Sequence, residues 1–206
     1  MIVHKPDNLS FEQAAALSFG GTTALAFLSK GGIKRGDKVL VVGASGSVGS
    51  AAVQIAKHFG ATVTGVCRTA NVDLVRSLGA DEVIDYSHDD FATSGEVYDI
   101  ILDTTGTTPL VRVENSLRQG GRLLIVLGSF AQAIGLERAA KGSGKRVIAG
   151  VAPVRVADLE TLAALAQTGA FVPVIDRSYP LERAVEAHAY VDTGRKRGNV
   201  VLSVAA

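Results

Sequence analysis

A short apolar run followed at once by three regularly spaced glycines is the feature that most restricts what this chain can fold into. Residues 39–42, Val-Leu-Val-Val, contain no polar position, which is typical of a strand buried on both faces of a parallel sheet. Residues 43–49, Gly-Ala-Ser-Gly-Ser-Val-Gly, lead into a segment whose apolar residues recur at helical spacing. Together they predict a strand, a tight turn and a helix, which is how a βαβ unit begins.

The alternation of strand and helix patterns continues along the chain. Further strands are predicted at residues 62–67, 82–86, 98–103, 122–127, 146–151 and 199–204. Further helices are predicted at residues 47–59, 72–78, 157–169 and 181–191, and from Pro109 to just before Gly120. Residues 172–175 contain Pro173 and are predicted to be an edge strand or a link. Repeated strand–helix units joined by short links indicate an α/β fold with a parallel sheet.

The residues before the first of these strands predict two helices. Ser10 and Gln13 have the spacing of a capping box, which marks a helix start. Gly20 and Gly21 are expected to break the helical pattern, so that a second helix runs over residues 22–30. The two glycines at residues 31–32 are expected to end that helix as a C-cap.

Composition excludes several classes of protein. The chain has 206 residues, with 21 Lys and Arg against 20 Asp and Glu, so its charge does not favour nucleic acid or an anionic membrane as a partner. No apolar run approaches the roughly 18 residues of a membrane-spanning helix. The single cysteine, Cys67, excludes an intrachain disulfide and favours a cytoplasmic location. We expect Cys67 to be buried and inert at the end of its strand.

The three glycines have the spacing and context of a phosphate-binding turn. Gly43 allows a tight turn off the strand, Gly46 allows the backbone to approach a pyrophosphate, and Gly49 allows the helix to lie close to the sheet. The start of the helix presents free N–H groups and the positive end of its dipole. The residues expected to bind a dinucleotide are Ser45, Gly46, Ser47 and Val48. A glycine turn that binds nothing is the alternative.

The residues after the second strand of this unit indicate which dinucleotide binds. An Asp or Glu about 20 residues after the glycine loop would accept hydrogen bonds from the ribose 2′-OH of NAD. No acid occurs there before Asp73. Arg68 instead offers a planar cation to a 2′-phosphate, and Thr69 and Asn71 offer further donors. The sequence therefore favours NADPH; the alternative is that Arg68 only solvates the loop.

Other catalytic patterns are absent from the sequence. The four histidines, His4, His58, His88 and His188, have no metal-ligand spacing among themselves or with Cys67, so no metal site is expected. No tyrosine has a lysine four residues later, which disfavours a short-chain dehydrogenase, and no Gly-x-Ser-x-Gly motif of a hydrolase occurs. A methyltransferase of similar topology is disfavoured because its methyl donor's ribose would favour an acid where Arg68 stands.

Five segments carry a resemblance to a known family. They are residues 20–25 (Gly-Gly-Thr-Thr-Ala-Leu), the loop at 43–49, residues 76–81 (Arg-Ser-Leu-Gly-Ala-Asp), residues 103–106 (Asp-Thr-Thr-Gly) and residues 194–201 (Gly-Arg-Lys-Arg-Gly-Asn-Val-Val). In this order they resemble the zinc-independent medium-chain dehydrogenase/reductase superfamily, and most closely its NADPH:quinone oxidoreductase-like branch.

The resemblance implies a fold and an activity. The fold is a Rossmann-type doubly wound sheet of six parallel strands with helices on both faces, binding NADPH. The activity is hydride transfer from the nicotinamide to a small-molecule quinone, enone or other carbonyl acceptor. A dinucleotide-binding module without significant catalysis of its own is the alternative.

The resemblance also implies positions for further cofactor-binding residues. Thr23 matches a helix-start threonine near the nicotinamide, and Tyr86 matches a tyrosine near the adenosine phosphate. Asn199 matches a position that faces the cofactor. Two loops match those that flank the ribose and the nicotinamide, and their residues are Thr105, Gly106, Leu127, Gly128 and Ser129.

Members of the family begin with a GroES-like substrate domain, most of which we expect this chain to lack. Residues 1–35 then resemble a remnant of that domain with a bridging helix, residues 36–169 the NADPH-binding domain, and residues 170–206 a return toward the missing domain. The resemblance also implies a homodimer in which the edge strand at 146–151 pairs with its two-fold mate. The alternative is a monomer whose edge is shielded by Lys145 and Arg146.

Overall fold

A six-stranded parallel sheet forms the centre of the protein. The computed structural model describes residues 3–126, 140, 142–151, 153 and 155–204. The strands are β1 (Lys38–Val42), β2 (Thr62–Cys67), β3 (Glu82–Asp85), β4 (Tyr98–Asp103), β5 (Leu117–Ile125) and β6 (Arg146–Ala149). They lie in the order β3-β2-β1-β4-β5-β6, and every neighbouring pair is parallel. The predicted Rossmann-type α/β fold is therefore confirmed.

Helices connect these strands, and a second, smaller sheet follows them. The described α-helices are α1 (Phe11–Gly31), α2 (Ser47–His58), α3 (Val72–Ser77), α4 (Leu110–Val113), α5 (Val156–Gln167) and α6 (Ala184–Asp192). Single 3₁₀ turns occur at Thr69–Asn71, Phe91–Thr93, Glu114–Ser116 and Leu181–Arg183. Strands β7 (Ile175–Pro180) and β8 (Asn199–Ser203) pair in parallel as the second sheet.

Burial on both faces of the sheet explains the apolar run of β1. Val39 and Val41 belong to the core on one face, together with residues of α1, α2 and α5. Leu40 and Val42 belong to a separate core on the other face, together with Leu110 of α4. Because successive side chains of a strand point to opposite faces, both faces of β1 need apolar residues. The interpretation of β1 as a strand buried on both faces is confirmed.

The prediction of two N-terminal helices is wrong, because α1 runs without a break through both glycines. The capping box of Ser10 with Gln13 is present, and Gly32 ends the helix with φ 64°. A Cβ on Gly20 would collide with the backbone carbonyl of Ser47, and a Cβ on Gly21 would lie 2.9 Å from a methyl group of Leu162. The glycines therefore allow α1 to pack closely on α2 and α5, and this packing outweighs their low helix propensity.

Several element boundaries differ from the predictions. The helix after Pro109 ends at Val113 rather than near Gly120, because the chain enters β5 at Leu117, where it pairs with Tyr98 of β4 before a register shift. Pro109 is the N-cap residue of α4 rather than its first helical residue. Of the two alternatives predicted for residues 172–175, the structure shows a link at 172–174, and the strand β7, which begins at Ile175, was not predicted. The side-chain amide of Gln54 holds this link, since it exchanges hydrogen bonds with the backbone of Val172.

Strand β6 lies at the edge of the large sheet, as the sequence predicts. The ammonium group of Lys145 donates a hydrogen bond to the carbonyl oxygen of Glu114, so it is held against the end of α4. Pairing of this edge in a homodimer stays a prediction, as do the three domain boundaries. Among the described helices none is long and apolar enough to cross a membrane; the cytoplasmic location stays a prediction.

Replacing Gly20 with alanine tests the close packing of α1 on α2. We expect the free energy of unfolding to fall by about 1–3 kcal/mol, because the added methyl group forces the two helices apart. An uncrowded helical glycine would behave in the opposite way and gain up to about 1 kcal/mol from alanine. Urea denaturation followed by circular dichroism measures the change. Ser18→Ala, on an exposed position of the same helix, is the control and should change stability by less than about 0.5 kcal/mol.

Candidate nucleotide-binding site

The glycine loop lies where the order of the strands reverses. From β1 the chain moves outward to β2 and β3, then returns to the other side of β1 and moves outward through β4, β5 and β6. The carboxyl ends of β1 and β4 therefore border the crevice at which the strand order reverses, which is where ligands bind in open α/β sheets. The loop at residues 43–46 leaves β1 at this crevice and enters α2.

Each of the three loop glycines has a different geometric role. Gly43 has φ 78°, and a Cβ there would lie 2.5 Å from the hydroxyl oxygen of Thr104. A Cβ on Gly49 would collide with the carbonyl oxygen of Gly43, so this glycine packs α2 on the loop itself. Gly46 is the N-cap residue of α2 and has no side chain to cap the first-turn amides. Those amides are left for a ligand.

The three residues after β2 that were expected to donate hydrogen bonds to a 2′-phosphate have different partners in the structure. Asn71 is buried, and its Nδ2 donates a hydrogen bond to the hydroxyl oxygen of Ser45 at 2.9 Å. Asn71 therefore positions the glycine loop through its hydrogen bond to Ser45. The sequence analysis did not predict this role. Arg68 is half-buried, and its guanidinium donates to the backbone carbonyl of Arg195 at 3.4 Å. Among the described residues no carboxylate forms an ion pair with Arg68.

An acid lies close to the end of β2, but on the neighbouring strand. Asp85, the last residue of β3, is in register with Cys67. A hydrogen bond from the hydroxyl of Thr69, helped by the Ser87 amide and His88, holds the pKa of the Asp85 carboxyl well below its ordinary value. Thr69 is thus engaged with Asp85. Sequence reasoning searched only the residues after β2 and missed this carboxylate.

The loop after β4 is fixed by a buried carboxylate. Asp103 is fully buried and accepts hydrogen bonds from the backbone amides of Thr105, Gly106 and Thr108, and from the hydroxyl of Thr105, at 2.7–3.0 Å. Because the four donors come from the loop itself, the carboxylate holds Thr105 and Gly106 in one arrangement beside Gly43. The resemblance pointed to Thr105 and Gly106, whereas the structure adds Asp103 as the residue that positions them.

Two clefts flank the glycine loop. The larger has a volume of about 690 Å³ and is lined by Gly46, Ser47 and Val48 of the loop and by Asn199 of β8. Most of its remaining lining is apolar and comes from Ala15, Ala16, Phe19, Val126, Val191, Val200, Val201 and Leu202. This apolar lining suits the uncharged part of a ligand whose charged part meets the loop.

The smaller cleft has a volume of about 560 Å³ and lies on the other side of the loop. Gly43, Tyr86 and Thr105 line it, together with Arg112. Its lining is more polar than that of the larger cleft. The structure therefore brings Tyr86 and Thr105 together, and it separates them from Ser47 and Asn199 by the glycine loop.

The remaining predicted residues are placed as follows. Thr23 is a half-buried residue well inside α1, so the expectation of a helix-start threonine is wrong: the helix begins twelve residues earlier, at Phe11. The side-chain amide of Asn199 donates to the carbonyl of Val174, while the residue itself lines the larger cleft. Leu127, Gly128 and Ser129 lie outside the described residues.

A segment from the end of the chain folds onto the glycine loop. The amide of Gly198 donates to the carbonyl of Ser45 at 2.8 Å, and the hydroxyl of Ser47 donates to the carbonyl of Gly198 at 2.7 Å. The residues between β7 and β8 are thus joined to the first turn of α2. Sequence reasoning missed Lys196, a residue of this segment that lines the larger cleft.

No metal centre is found in the part of the chain that the structure describes. There, no group of three or more His, Cys, Asp or Glu side chains could hold a metal ion. Cys67 is buried, and this burial, together with the charge of Asp85, raises the pKa of its thiol to about 11. The thiol therefore stays protonated near neutral pH, as expected for an inert cysteine.

Comparison with known proteins identifies a family that matches this chain. A family profile described as "Zinc-binding dehydrogenase" matches residues 78–202. The donor set that zinc requires is not among the described residues, so nothing in the site is assigned to zinc.

Relatives and solved structures agree with the profile. The chain is 32% identical to a 2-methylene-furan-3-one reductase of Solanum lycopersicum, with 98% of this chain and 49% of the relative covered. It is 33% identical to the chloroplast envelope quinone oxidoreductase homolog of Arabidopsis thaliana, with 98% and 65% covered. The quinone oxidoreductase of Coxiella burnetii superposes with a TM-score of 0.90 at 30% identity, covering 98% of this chain and 64% of that one.

The chain spans between about half and two thirds of the length of these proteins. The family profile matches more than half of the chain, and the six-stranded parallel sheet superposes on that of a quinone oxidoreductase. The chain belongs to the zinc-binding dehydrogenase family, in the quinone oxidoreductase-like branch of the medium-chain dehydrogenase/reductase superfamily.

Proposed function

We propose that the protein is an NADPH-dependent oxidoreductase of the quinone and enone reductase type. The observation that carries the proposal is the glycine loop at the strand reversal, with the uncapped first turn of α2 facing the larger cleft. The names of relatives support it, since they include a quinone oxidoreductase homolog and an NADPH-dependent alkenal/one oxidoreductase.

The described residues fit a dinucleotide. The amides at the start of α2 suit the pyrophosphate, since Gly46 has no side chain that would stand between them and the ligand. Thr105 and Gly106, which Asp103 holds in place beside Gly43, would contact the dinucleotide at the same crevice. When bound, the dinucleotide supplies the hydride, and the chain binds it, orients it and shields one side of it from water.

The apolar larger cleft suits the acceptor. Phe19 of α1 and Leu202 of β8 contribute apolar surface to this cleft, as a quinone or enone ring requires. Among the described residues that line this cleft, Lys196 is the one titratable side chain, and none is an acid or a histidine. We propose that water supplies the proton that a reduced acceptor takes up.

The surroundings of Arg68 favour NADPH over NADH. Its guanidinium has a single long hydrogen bond to a carbonyl oxygen and keeps most of its donors available. Asp85, which ends the neighbouring strand β3, is already engaged by Thr69, Ser87 and His88. A 2′-phosphate would therefore meet an available cation, whereas the ribose of NADH would meet no free carboxylate.

The substitution Arg68→Ala tests the choice of cofactor. We expect the dissociation constant for NADPH to rise about 10- to 100-fold, because one charge-assisted contact is lost. The dissociation constant for NADH should stay the same. Titration calorimetry measures both, and Arg35→Ala, before β1 at the opposite end of the sheet, is the control. Equal wild-type affinities for the two nucleotides would contradict the assignment.

A dinucleotide-binding module without significant turnover is the second candidate. It is favoured by the larger cleft, where no acid or histidine among the described lining residues can act on an acceptor. Hydride transfer needs the acceptor held about 3–3.5 Å from the nicotinamide. A wall on one side of the cleft orients an acceptor only in part.

Consumption of NADPH in the presence of phenanthrenequinone distinguishes the two candidates. With this chain we expect slow oxidation of NADPH that saturates with both reactants, at a rate well below the ordinary enzyme value of about 10 s⁻¹. Absorbance at 340 nm measures it, and NADPH without quinone is the control. Tight NADPH binding with no quinone-dependent oxidation would favour the binding module. A rate near 10 s⁻¹ would contradict the expected slow step.

A further inference from the structure

The larger cleft contains a cation that the proposed function has not yet used. Lys196 is half-buried between the glycine loop and β8. Its ammonium group donates to the carbonyl of Gly198 at 2.7 Å and to the hydroxyl oxygen of Ser47 at 2.9 Å. Both acceptors are neutral, so the contacts fix the position of the charge without balancing it.

No carboxylate in the described part of the chain forms an ion pair with this ammonium group. The acid whose charge acts on it is Asp176. Asp176 is itself engaged, because it accepts hydrogen bonds from the hydroxyl of Tyr190 at 2.6 Å and from the backbone amide of Arg197 at 3.0 Å. Burial lowers the pKa of Lys196, and Asp176 offsets only part of that effect.

The position of Lys196 beside the first turn of α2 leaves its positive charge still less balanced. The first turn of α2 is the positive end of a 12-residue helix, and Ser47 is its first residue. A cation beside that end is destabilising unless an anion joins it. The chain nevertheless holds Lys196 there with two hydrogen bonds to neutral oxygens, so an anionic ligand in the cleft would balance its charge.

We propose that Lys196 binds the pyrophosphate of the dinucleotide and that Ser47 positions it. The inference rests on the proposed function, since it assumes that a dinucleotide occupies the loop. Ser47 was expected to bind the cofactor itself, but its hydroxyl donates to Gly198 and accepts from Lys196. Its side chain therefore serves the lysine, while its backbone amide stays at the first turn.

This role differs from that of Arg68 in a measurable way. The pyrophosphate is common to NADPH and NADH, whereas the 2′-phosphate belongs to NADPH alone. Loss of the Lys196 charge should therefore weaken the binding of both nucleotides by the same factor. Loss of the Arg68 charge should weaken the binding of NADPH only. The ratio of the two affinities separates the two contacts.

The experiment compares Lys196→Met with wild type by titration calorimetry with NADPH and with NADH. We expect both dissociation constants to rise about 10- to 100-fold, and Lys196→Arg to recover most of the loss. Lys34→Met, at an exposed lysine before β1, removes the same charge far from the cleft and should change neither dissociation constant.

The melting temperature without nucleotide is a second readout. Lys196→Met should melt at or above the wild-type temperature, because an unbalanced half-buried charge is removed. If the lysine were merely structural, its loss would lower the melting temperature.

Two results overturn the assignment. If Lys196→Met binds both nucleotides as tightly as wild type, the lysine does not contact the ligand. If only NADPH binding weakens, the lysine contacts the 2′-phosphate and not the pyrophosphate. Wild-type protein that binds neither nucleotide would instead overturn the proposed function, which distinguishes that failure from a failure of the lysine assignment alone.

Discussion

The contact of Gly49 with the carbonyl of Gly43 is the constraint on which the site depends. Any side chain at residue 49 would collide with that oxygen, so α2 can begin directly over the turn that leaves β1 only because residue 49 is glycine. This places the positive end of α2 at the strand reversal between β1 and β4. The position of the first-turn amides of α2 follows from that starting point.

Three separate parts of the chain then hold the loop in place. Asn71 supports Ser45 from the end of β2, and the amide of Gly198 bonds the carbonyl of Ser45 from the end of the chain. Thr104 donates its hydroxyl to the carbonyl of Val42 from the end of β4. Residues far apart in sequence thus converge on one turn. A turn held in this way loses little conformational freedom when a ligand binds, which favours affinity.

Patterns that depend on neighbouring residues were predicted well. The bounds of β2 and β4, the capping box at Ser10 and the turn at Gly43 follow from local alternation, hydrogen-bonding side chains and backbone freedom. The assignment of Tyr86 and Asn199 to the site came from the resemblance and not from such patterns. Both line a cleft beside the loop.

Features that depend on distant residues were not predictable from the sequence. Gly20 looks like a helix breaker, and only the carbonyl of Ser47 shows that it permits close packing. Asn71 looks like a free donor, and only the fold places its amide on Ser45. Lys196 is one of three consecutive cations, and nothing in their order shows which of them enters the cleft. In each case the deciding partner is brought in by tertiary structure.

The central claim is that the first turn of α2 holds the phosphates of a nicotinamide dinucleotide. Backbone amide chemical shifts of ¹⁵N-labelled protein, recorded while NADPH is added, test it most directly. We predict the largest shifts at Gly46, Ser47 and Val48, with smaller shifts at Thr105 and Gly106 across the crevice. Amides of α2 that stay unchanged while NADPH shifts signals elsewhere, or while it shifts none at all, would contradict the claim.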